Sequence, residues 1–333
     1  MMGLLELAAA NLISPIILSF ALGLGAALAR SDLSVPEAAA KALSIYLLFA
    51  IGFKGGVGVA AHGLDATLVG ALLGGAILSF AIPFVAFGLL RVLSSLSTVD
   101  AAAVAGHYGS ISIVTFVAAT SVLEGRGIDA EGYMVAVAAV MEAPAILSAL
   151  WIIARTGTGK AGASKADGGM DSTLIREILL NGSIVLLVGS FFIGWITGED
   201  GLEQIASFIV APFQGVLCLF LLDMGLVAGR GLRQSRGVLG VGAIVFGCLM
   251  PPVGAAMGLA MALLLGLSTG GVMLMMVLSA SASYIAVPAA MRVALPEANP
   301  SIYLTLSLGV TFPFNLTVGI PMYLGVALWA TGG

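Results

Sequence analysis

Two short polar motifs interrupt long apolar stretches of the sequence and offer groups that could bind a small ion. The first is S-I-S at 110–112, preceded by G-H-Y-G at 106–109, and the second is S-A-S at 281–283. Serine side chains two residues apart point about 200° apart on an ideal helix, so such a pair serves one ligand only where the backbone is unwound. An unwound segment frees N–H groups at the start of the next helix, and these favour an anion. Each motif therefore predicts a helix break with an anion site.

Three ionisable residues also lie inside apolar stretches, where a charge costs about 3 kcal/mol or more. They are Lys54, Glu142 and Asp223. We expect Glu142 to take part in ion binding, directly or through a ligand. For Lys54 and Asp223 the alternative is that they lie nearer the ends of the spans, where they reach water or form a structural pair.

A pair of neutral polar residues, Thr311 and Asn315, places side-chain oxygens one turn apart on a helix that Pro313 is expected to kink. Thr311 and Glu142 occupy equivalent places in two similar halves of the chain, so they could flank one cavity. The alternative for the Gly, Ala and Ser residues of the motifs is that small side chains simply permit close helix packing. Because two motifs stand at equivalent positions, we favour the site.

The predicted ligand sets follow from these motifs. For the anion the expected residues are Gly109, Ser110, Ser112, Ala280, Ser281 and Ser283. For sodium the expected residues are Ser281, Thr311, Asn315 and Glu142.

The composition indicates that these motifs lie in a membrane. The 333 residues are 60% hydrophobic and only 9% charged, which leaves too few polar side chains to cover a water-soluble globule. The apolar residues form runs of about 20, the length that crosses a hydrocarbon core. Ten runs are predicted as spanning helices: 9–29, 37–60, 67–93, 99–123, 131–154, 174–197, 203–228, 238–265, 270–294 and 301–330.

The distribution of Lys and Arg predicts the orientation of these spans, because positive residues are retained on the cytoplasmic side. When the loops are assigned alternately to two sides, one side receives Arg126 and Lys54 falls within a span. The other side receives Arg30, Lys41, Arg91, Arg155, Lys160, Lys165, Arg176, Arg230, Arg233, Arg236 and Arg292. We therefore expect a multi-pass protein of a bacterial inner membrane with both termini outside. Glu6, with no basic residue before the first run, argues against a cleaved signal peptide.

The chain also repeats itself at an offset near 170 residues, in which the two serine motifs, "EAP" at 142–144 and "TFP" at 311–313 correspond. We predict a first five-helix repeat at 1–154, a cytoplasmic linker at 155–173 and a second repeat at 174–333. Because five is odd, the second half must enter the membrane in the opposite direction. We therefore predict an all-α membrane protein with inverted repeats and broken helices at mid-membrane. This arrangement is typical of secondary transporters.

Enzyme signatures are not found in the sequence: it has no G-x-S-x-G, Walker A or H-E-x-x-H motif. Cys218, Cys248, His62 and His107 have no metal-ligand spacing. We expect no enzyme activity, no cofactor apart from Na⁺ as a coupling ion, and no nucleic-acid partner. Transport would draw on an ion gradient or be passive.

Three long motifs resemble one known family over nearly the whole chain: "GHYGSISIVTF" at 106–116, "LDMGLVAGRGL" at 222–232, and the stretch from "SASASYIAVPAAMRVALPEANPSIYL" to "GVTFPFNLTVGIPMY". They are similar to the cyanobacterial-type sodium-dependent bicarbonate transporters. The resemblance implies a homotrimer whose protomers have a gate domain and a core domain with crossing broken helices, on the plan of sodium/bile-acid symporters. It implies Na⁺-coupled bicarbonate uptake near Ser110, Ser112, Ser281 and Ser283, and a PII-like regulator as a candidate cytoplasmic partner.

Three hypotheses about the function remain open from the sequence. The leading one is an elevator-type symporter in which Na⁺ binding organises the broken helices for a small monoanion, with bicarbonate as the expected substrate. The second is a transporter of another small carboxylate, or a cation/H⁺ exchanger acting through Glu142. The third, of a different class, is a membrane scaffold that does not transport and binds a partner through 155–173 or 230–236.

Overall fold

The computed structural model describes residues 13–63, 66–156, 182–234, 239–284, 287–288, 291 and 295–332, and within them every regular element is a helix. In chain order the helices are α1 (Pro15–Leu28), α2 (Glu37–His62), α3 (Ala66–Leu93), α4 (Thr98–Gly109), α5 (Ile113–Glu124), α6 (Met134–Val140), α7 (Glu142–Thr156), α8 (Gly182–Ile209), α9 (Phe213–Gln234), α10 (Val241–Leu265), α11 (Thr269–Ala280) and α12 (Pro300–Thr331). The predicted linker lies outside the described residues apart from Arg155 and Thr156.

Eight helical segments of the described residues are long and apolar enough to cross a membrane, and two of them, Thr98–Glu124 and Met134–Thr156, each join two consecutive helices. Two shorter apolar helices, α1 and α11, fall in the first and ninth predicted spans. The protein is therefore a multi-pass membrane protein. The count of ten spans stays a prediction, since both short helices border residues outside the described ranges.

The structure agrees with one of the boundaries predicted around residue 200 and not with the other. Span 174–197 was expected to end at 197, and Gly198 adopts non-helical angles, φ 58° and ψ −152°, so the chain turns there. The helix resumes at once and continues to Ile209, and α9 begins only at Phe213, so the predicted start of the next span at 203 was wrong. The segment after the turn packs on α2: the Tyr46 hydroxyl donates to the Phe208 carbonyl over 2.5 Å.

Two closely packed helix pairs form one side of the bundle, and glycine permits the contact in each. A Cβ on Gly56 of α2 would lie 1.9 Å from the Phe191 carbonyl oxygen of α8. One on Gly23 of α1 would lie 2.0 Å from the Leu222 carbonyl oxygen of α9. We call α1, α2, α8 and α9 the panel, and the other helices the core helices.

The two most enclosed core helices are α4 and α11, which supply the two serine motifs. The run 101–109 of α4 is buried throughout, as is the run 270–280 of α11. Helix α4 packs between α3 and α7, while α11 packs against α10 and α12. The fold therefore holds both motifs in the interior of the core helices, away from lipid.

Candidate functional site

The helices that carry the serine motifs end in the same local geometry. Each runs for 12 residues from a serine N-cap, Ser97 or Ser268, whose side chain accepts a hydrogen bond from the third residue of its helix. Each ends at a serine in extended backbone, with φ −88° and ψ 175° at Ser110 and φ −89° and ψ 166° at Ser281. This likeness at equivalent positions is what the internal repeat predicts.

The first break comprises residues 110–112 and the second comprises 281–284. Both lie at the predicted motifs but are narrower than expected, because 106–109 and 279–280 remain helical. Gly109 and Ala280 are thus the last helical residues before each break. A Cβ on Gly109 would lie 2.3 Å from the Pro83 ring, so the close approach of α3 requires glycine at this position.

Each break donates a hydrogen bond from a backbone N–H group to the opposite motif. The Ser112 N–H donates to Ser281 Oγ over 2.9 Å, and the Ser283 N–H donates to the His107 carbonyl over 2.8 Å. Ser110, Ser112, Ser281 and Ser283 are all buried. Polar backbone at this depth is tolerated because protein surrounds it. The structure therefore brings all four predicted serines into one enclosed polar region.

The first break points its hydroxyls at a carboxyl group and at the start of the next helix. Ser110 Oγ donates to Glu142 Oε2 over 2.5 Å. Ser112 is the N-cap of α5 and accepts hydrogen bonds from the Thr115 N–H and hydroxyl, at 3.2 and 2.9 Å. The N-terminus of α5 therefore faces the break, as an anion site requires.

The second break is bonded differently. Ser281 Oγ donates to the Leu278 carbonyl of its own helix over 3.0 Å, and Ser283 Oγ accepts from the Val287 N–H over 3.3 Å. Asn315 Nδ2 donates to the carbonyl of Ala280, the last residue of α11, over 3.0 Å. The second break is thus held by neutral groups.

A further interruption, which the sequence analysis missed, precedes Glu142. Helix α6 ends at Val140, and α7 begins at Glu142 after an interruption at Met141. Met141 keeps helical angles, with φ −72° and ψ −5°, but Pro144 has no N–H to donate to the Val140 carbonyl, so one helical hydrogen bond is missing here. The proline two residues after Glu142 was the signal that could have predicted the interruption.

The four predicted sodium residues do not form one hydrogen-bonded group. Thr311 Oγ1 donates to the Gly247 carbonyl over 2.7 Å and, with its hydrogen used, accepts from the Tyr108 hydroxyl at 2.5 Å. Asn315 Oδ1 accepts from the Tyr323 hydroxyl over 2.9 Å. Glu142 contacts the first break and Asn315 the second. Within the described residues no hydrogen bond joins Glu142 to Thr311 or Asn315. Pro313 lies between two π-helical segments, Thr305–Thr311 and Asn315–Gly319, and the kink expected there stays a prediction.

Two aromatic residues beside the first break were not predicted as part of the site. Tyr108 is fully buried and bonds Thr311, as described above. His107 Nδ1 lies 2.7 Å from the Ala103 carbonyl and so carries the proton, while its ring stacks on Tyr303 with centroids 4.3 Å apart. In the described part of the chain, His107 Nε2 has no hydrogen-bond partner. These contacts fix the last turn of α4 and with it the position of Ser110.

Lys54 and Asp223 lie away from the breaks. Lys54 forms an ion pair with Glu124 at the end of α5, which agrees with the structural pairing considered for it. Asp223 lies buried in α9, on the helix that also carries Arg230. In the part of the chain that is described, no group of three His, Cys, Asp or Glu residues could hold a metal ion.

Two cavities lie between the panel helix α9 and the core helix α12, one beside the start of α9 and the middle of α12, the other beside the C-terminal half of α9 and the start of α12. One, of about 410 Å³, has Ser121, Arg126, Gln214 and Leu316 among its lining residues. The other, of about 450 Å³, has Arg230, Tyr284, Ser301 and Thr305 among its lining residues. The second cavity reaches the second break at Tyr284. Neither Ser110 nor Ser281 lines either of these two cavities.

The chain matches one protein family over nearly its whole length. The family model is described as the Na⁺-dependent bicarbonate transporter superfamily, and it matches residues 15–328, a range that includes both breaks and Glu142. No curated protein sequence matches the chain. The chain therefore belongs to the Na⁺-dependent bicarbonate transporter superfamily, and it is a membrane transporter rather than an enzyme.

Proposed function

We propose that this protein is a Na⁺-coupled symporter that imports a small monoanion, bicarbonate, by alternating access. The observation that carries the proposal is the hydrogen bond from the Ser112 N–H to Ser281 Oγ, which joins two helix breaks deep in the core. Unwound backbone supplies N–H donors for an anion and carbonyl acceptors for a cation. A monoanion and Na⁺ bound together are neutral, which lowers the barrier to moving the loaded site through a low-dielectric region.

The proposed anion ligands are the serines of both breaks with Gly109 and Ala280, and the proposed Na⁺ ligands are Glu142, Ser281, Thr311 and Asn315. Their burial supports this assignment, because buried polar groups in a membrane protein mark ion pathways. Thr311 and Asn315 are held by protein hydrogen bonds in this conformation, so they would have to exchange partners to bind Na⁺.

The movement that we propose is of the elevator type, with the core helices sliding against the panel. The two cavities support it, since they lie on the boundary between the two groups of helices, one beside the N-terminal part of α9 and the other beside its C-terminal part. In this scheme the panel is the gate domain, and each cavity is the part of the pathway that stays open at its own end of the membrane.

The architecture that we propose is ten spans in two inverted repeats, 1–154 and 174–333, in a bacterial inner membrane with both termini outside. The packing of α9 on α1 supports the assignment of basic residues to one side. Arg230 donates to the Leu33 carbonyl over 3.0 Å and Arg233 to the Ala27 carbonyl over 2.9 Å. Both arginines therefore lie at the same end of the bundle as the C-terminus of α1. A homotrimer and a PII-like regulator are proposed from the family resemblance alone.

A transport assay tests the proposal. Purified protein in liposomes should take up labelled bicarbonate when Na⁺ is supplied outside, and uptake should fall at least about 10-fold when choline replaces Na⁺. Ser110→Ala and Ser281→Ala should each reduce uptake to near background. Ser190→Ala is the matched control, because this buried serine of α8 bonds its own helix and lies in the panel. Equal uptake with and without Na⁺, and by all variants, would reject both the coupling and the site.

A second candidate is supported by Glu142, whose buried carboxyl group lies beside the first break. Such a group could exchange a proton for a cation, or its site could serve another small carboxylate. A proton exchanger would acidify or alkalinise the liposome lumen on addition of Na⁺ without any added anion, whereas a bicarbonate symporter would not. Competition by acetate or formate against labelled bicarbonate separates the carboxylate alternative.

A further inference from the structure

The contact between Ser110 and Glu142 leaves the Ser110 hydroxyl without a hydrogen to donate to an anion. A serine hydroxyl carries one hydrogen, and Ser110 donates it to Glu142 Oε2 over 2.5 Å. Ser110 is 0% exposed and Glu142 is 8% exposed, so water does not compete freely for this bond. An anion at Ser110 would find no donor there and would face the negative charge of the carboxylate.

Among the described residues, Glu142 has no basic partner to balance that charge. The one ion pair of the described residues joins Lys54 to Glu124 and does not involve Glu142. Glu142 is the first residue of α7, and the positive end of that helix offsets part of the cost of a buried carboxylate. A cation bound to the carboxylate would compensate the remainder.

The second break has no such carboxylate. Ser281, which is equivalent to Ser110, donates to the Leu278 carbonyl, and the side chain beside its helix end is the neutral Asn315. A carboxylate therefore faces only one of the two equivalent serines.

We propose that Glu142 is a coupling latch: in the ion-free protein its carboxylate holds the Ser110 hydroxyl, and Na⁺ binding to this carboxylate releases the hydroxyl to the anion. The latch rests on the proposed function and adds the order of binding, with Na⁺ first. It makes bicarbonate affinity depend on Na⁺ without any direct contact between the two ions.

Bicarbonate binding to purified protein, with Na⁺ or with choline, tests the latch. For the wild type we expect Na⁺ to lower the Kd at least about 10-fold. Glu142→Ala removes the acceptor, so in choline it should bind bicarbonate more tightly than the wild type and respond to Na⁺ less than about 2-fold. Glu142→Gln keeps an oxygen that accepts from Ser110 but attracts no cation, so it should bind weakly in both buffers.

The comparison of Glu142→Ala with Glu142→Gln distinguishes a latch from a simple sodium ligand. If Glu142 were only a sodium ligand, Glu142→Ala would bind bicarbonate in choline no better than the wild type or Glu142→Gln. That result would overturn the latch. Melting curves of both variants exclude misfolding as the cause of weak binding.

A second measurement uses Na⁺ alone and does not need any change at Glu142. Because Ser110 competes with Na⁺ for the carboxylate, Ser110→Ala should bind Na⁺ severalfold more tightly than the wild type, by reciprocity of coupling. Ser190→Ala, a buried serine of the panel that bonds its own helix, is the matched control and should leave the Na⁺ affinity at that of the wild type. A Ser110→Ala variant with unchanged or weaker Na⁺ binding would refute the latch. If Ser110→Ala binds Na⁺ more tightly while no variant binds bicarbonate, the latch stands and the substrate assignment fails.

Discussion

Lys54 of α2 pairs with Glu124 at the end of α5, so an ion pair joins the panel to the core helices. The Lys54 ammonium also lies 5.4 Å from the centre of the Phe213 ring of α9. Both charged side chains remain partly exposed, and such pairs contribute about 1 kcal/mol or less to stability. The contact is therefore informative mainly because it must break if the panel and core slide past each other.

Cross-linking tests that sliding motion. In a protein with Cys218→Ser and Cys248→Ser, we expect an oxidised Lys54→Cys/Glu124→Cys pair to abolish uptake and a reducing agent to restore it. The control is a Tyr46→Cys/Phe208→Cys pair, which joins two helices within the panel. That cross-link should leave uptake nearly unchanged. Full activity of the oxidised Lys54→Cys/Glu124→Cys protein would mean that α2 and α5 do not separate during transport.

Thr311 links α12 to two other helices, and this link should be measurable as stability. Thr311→Val keeps the shape of the side chain but leaves the Gly247 carbonyl and the Tyr108 hydroxyl without a partner, which we expect to cost about 2–4 kcal/mol. Tyr108→Phe loses only one of these bonds and should cost about 1 kcal/mol. Thermal melting in detergent compares them. If Thr311→Val melted like the wild type but lost the Na⁺ dependence of uptake, Thr311 would be a sodium ligand rather than a structural residue.

The packing of α2 on α8 should not tolerate a methyl group at Gly56. A methyl group at Gly189 should be tolerated. The Cβ of Gly56→Ala would overlap the Phe191 carbonyl, so α2 and α8 would have to separate, at a cost of about 1–3 kcal/mol. No heavy atom lies within 4 Å of a Cβ at Gly189 in α8. Gly189→Ala should therefore be neutral or stabilising by up to about 1 kcal/mol. Equal melting temperatures for the two variants would contradict the close contact of α2 and α8.

The break before Glu142 should depend on Pro144. Pro144→Ala restores an N–H that can bond the Val140 carbonyl, so α6 and α7 should join and Glu142 should move away from Ser110. We expect slower hydrogen exchange at residues 141–146 and a Na⁺ dependence of uptake reduced at least about 5-fold. Pro36→Ala, a change at the cap of α2 outside any helix interior, should alter neither. Rapid exchange at 141–146 in Pro144→Ala would show that the break has another cause.

Local properties of the sequence were sufficient for much of the fold. Hydropathy predicted membrane-spanning helices because the thickness of the hydrocarbon core sets their length. Glycine and serine at 106–112 and 279–284 predicted the two breaks, since an S-x-S pair can serve one ligand only off a regular helix. The family resemblance also rested on motifs readable in the chain, and the match over residues 15–328 confirmed it. The predicted start of α9 was wrong, because composition alone does not distinguish a loop from a packed helix after Gly198.

The partners of each polar group were decided only by the tertiary structure. Ser112 and Ser281 bond each other across 169 residues, a distance over which hydropathy and spacing carry no information about contact. The sequence symmetry suggested that Glu142 and Thr311 flank one cavity, which stays a prediction, but it did not reveal that Glu142 bonds Ser110 and Thr311 bonds Tyr108. A helix presents its side chains around its whole circumference. Which of them faces the ion is therefore settled by how neighbouring helices pack, and the residue sequence of one helix does not contain that information.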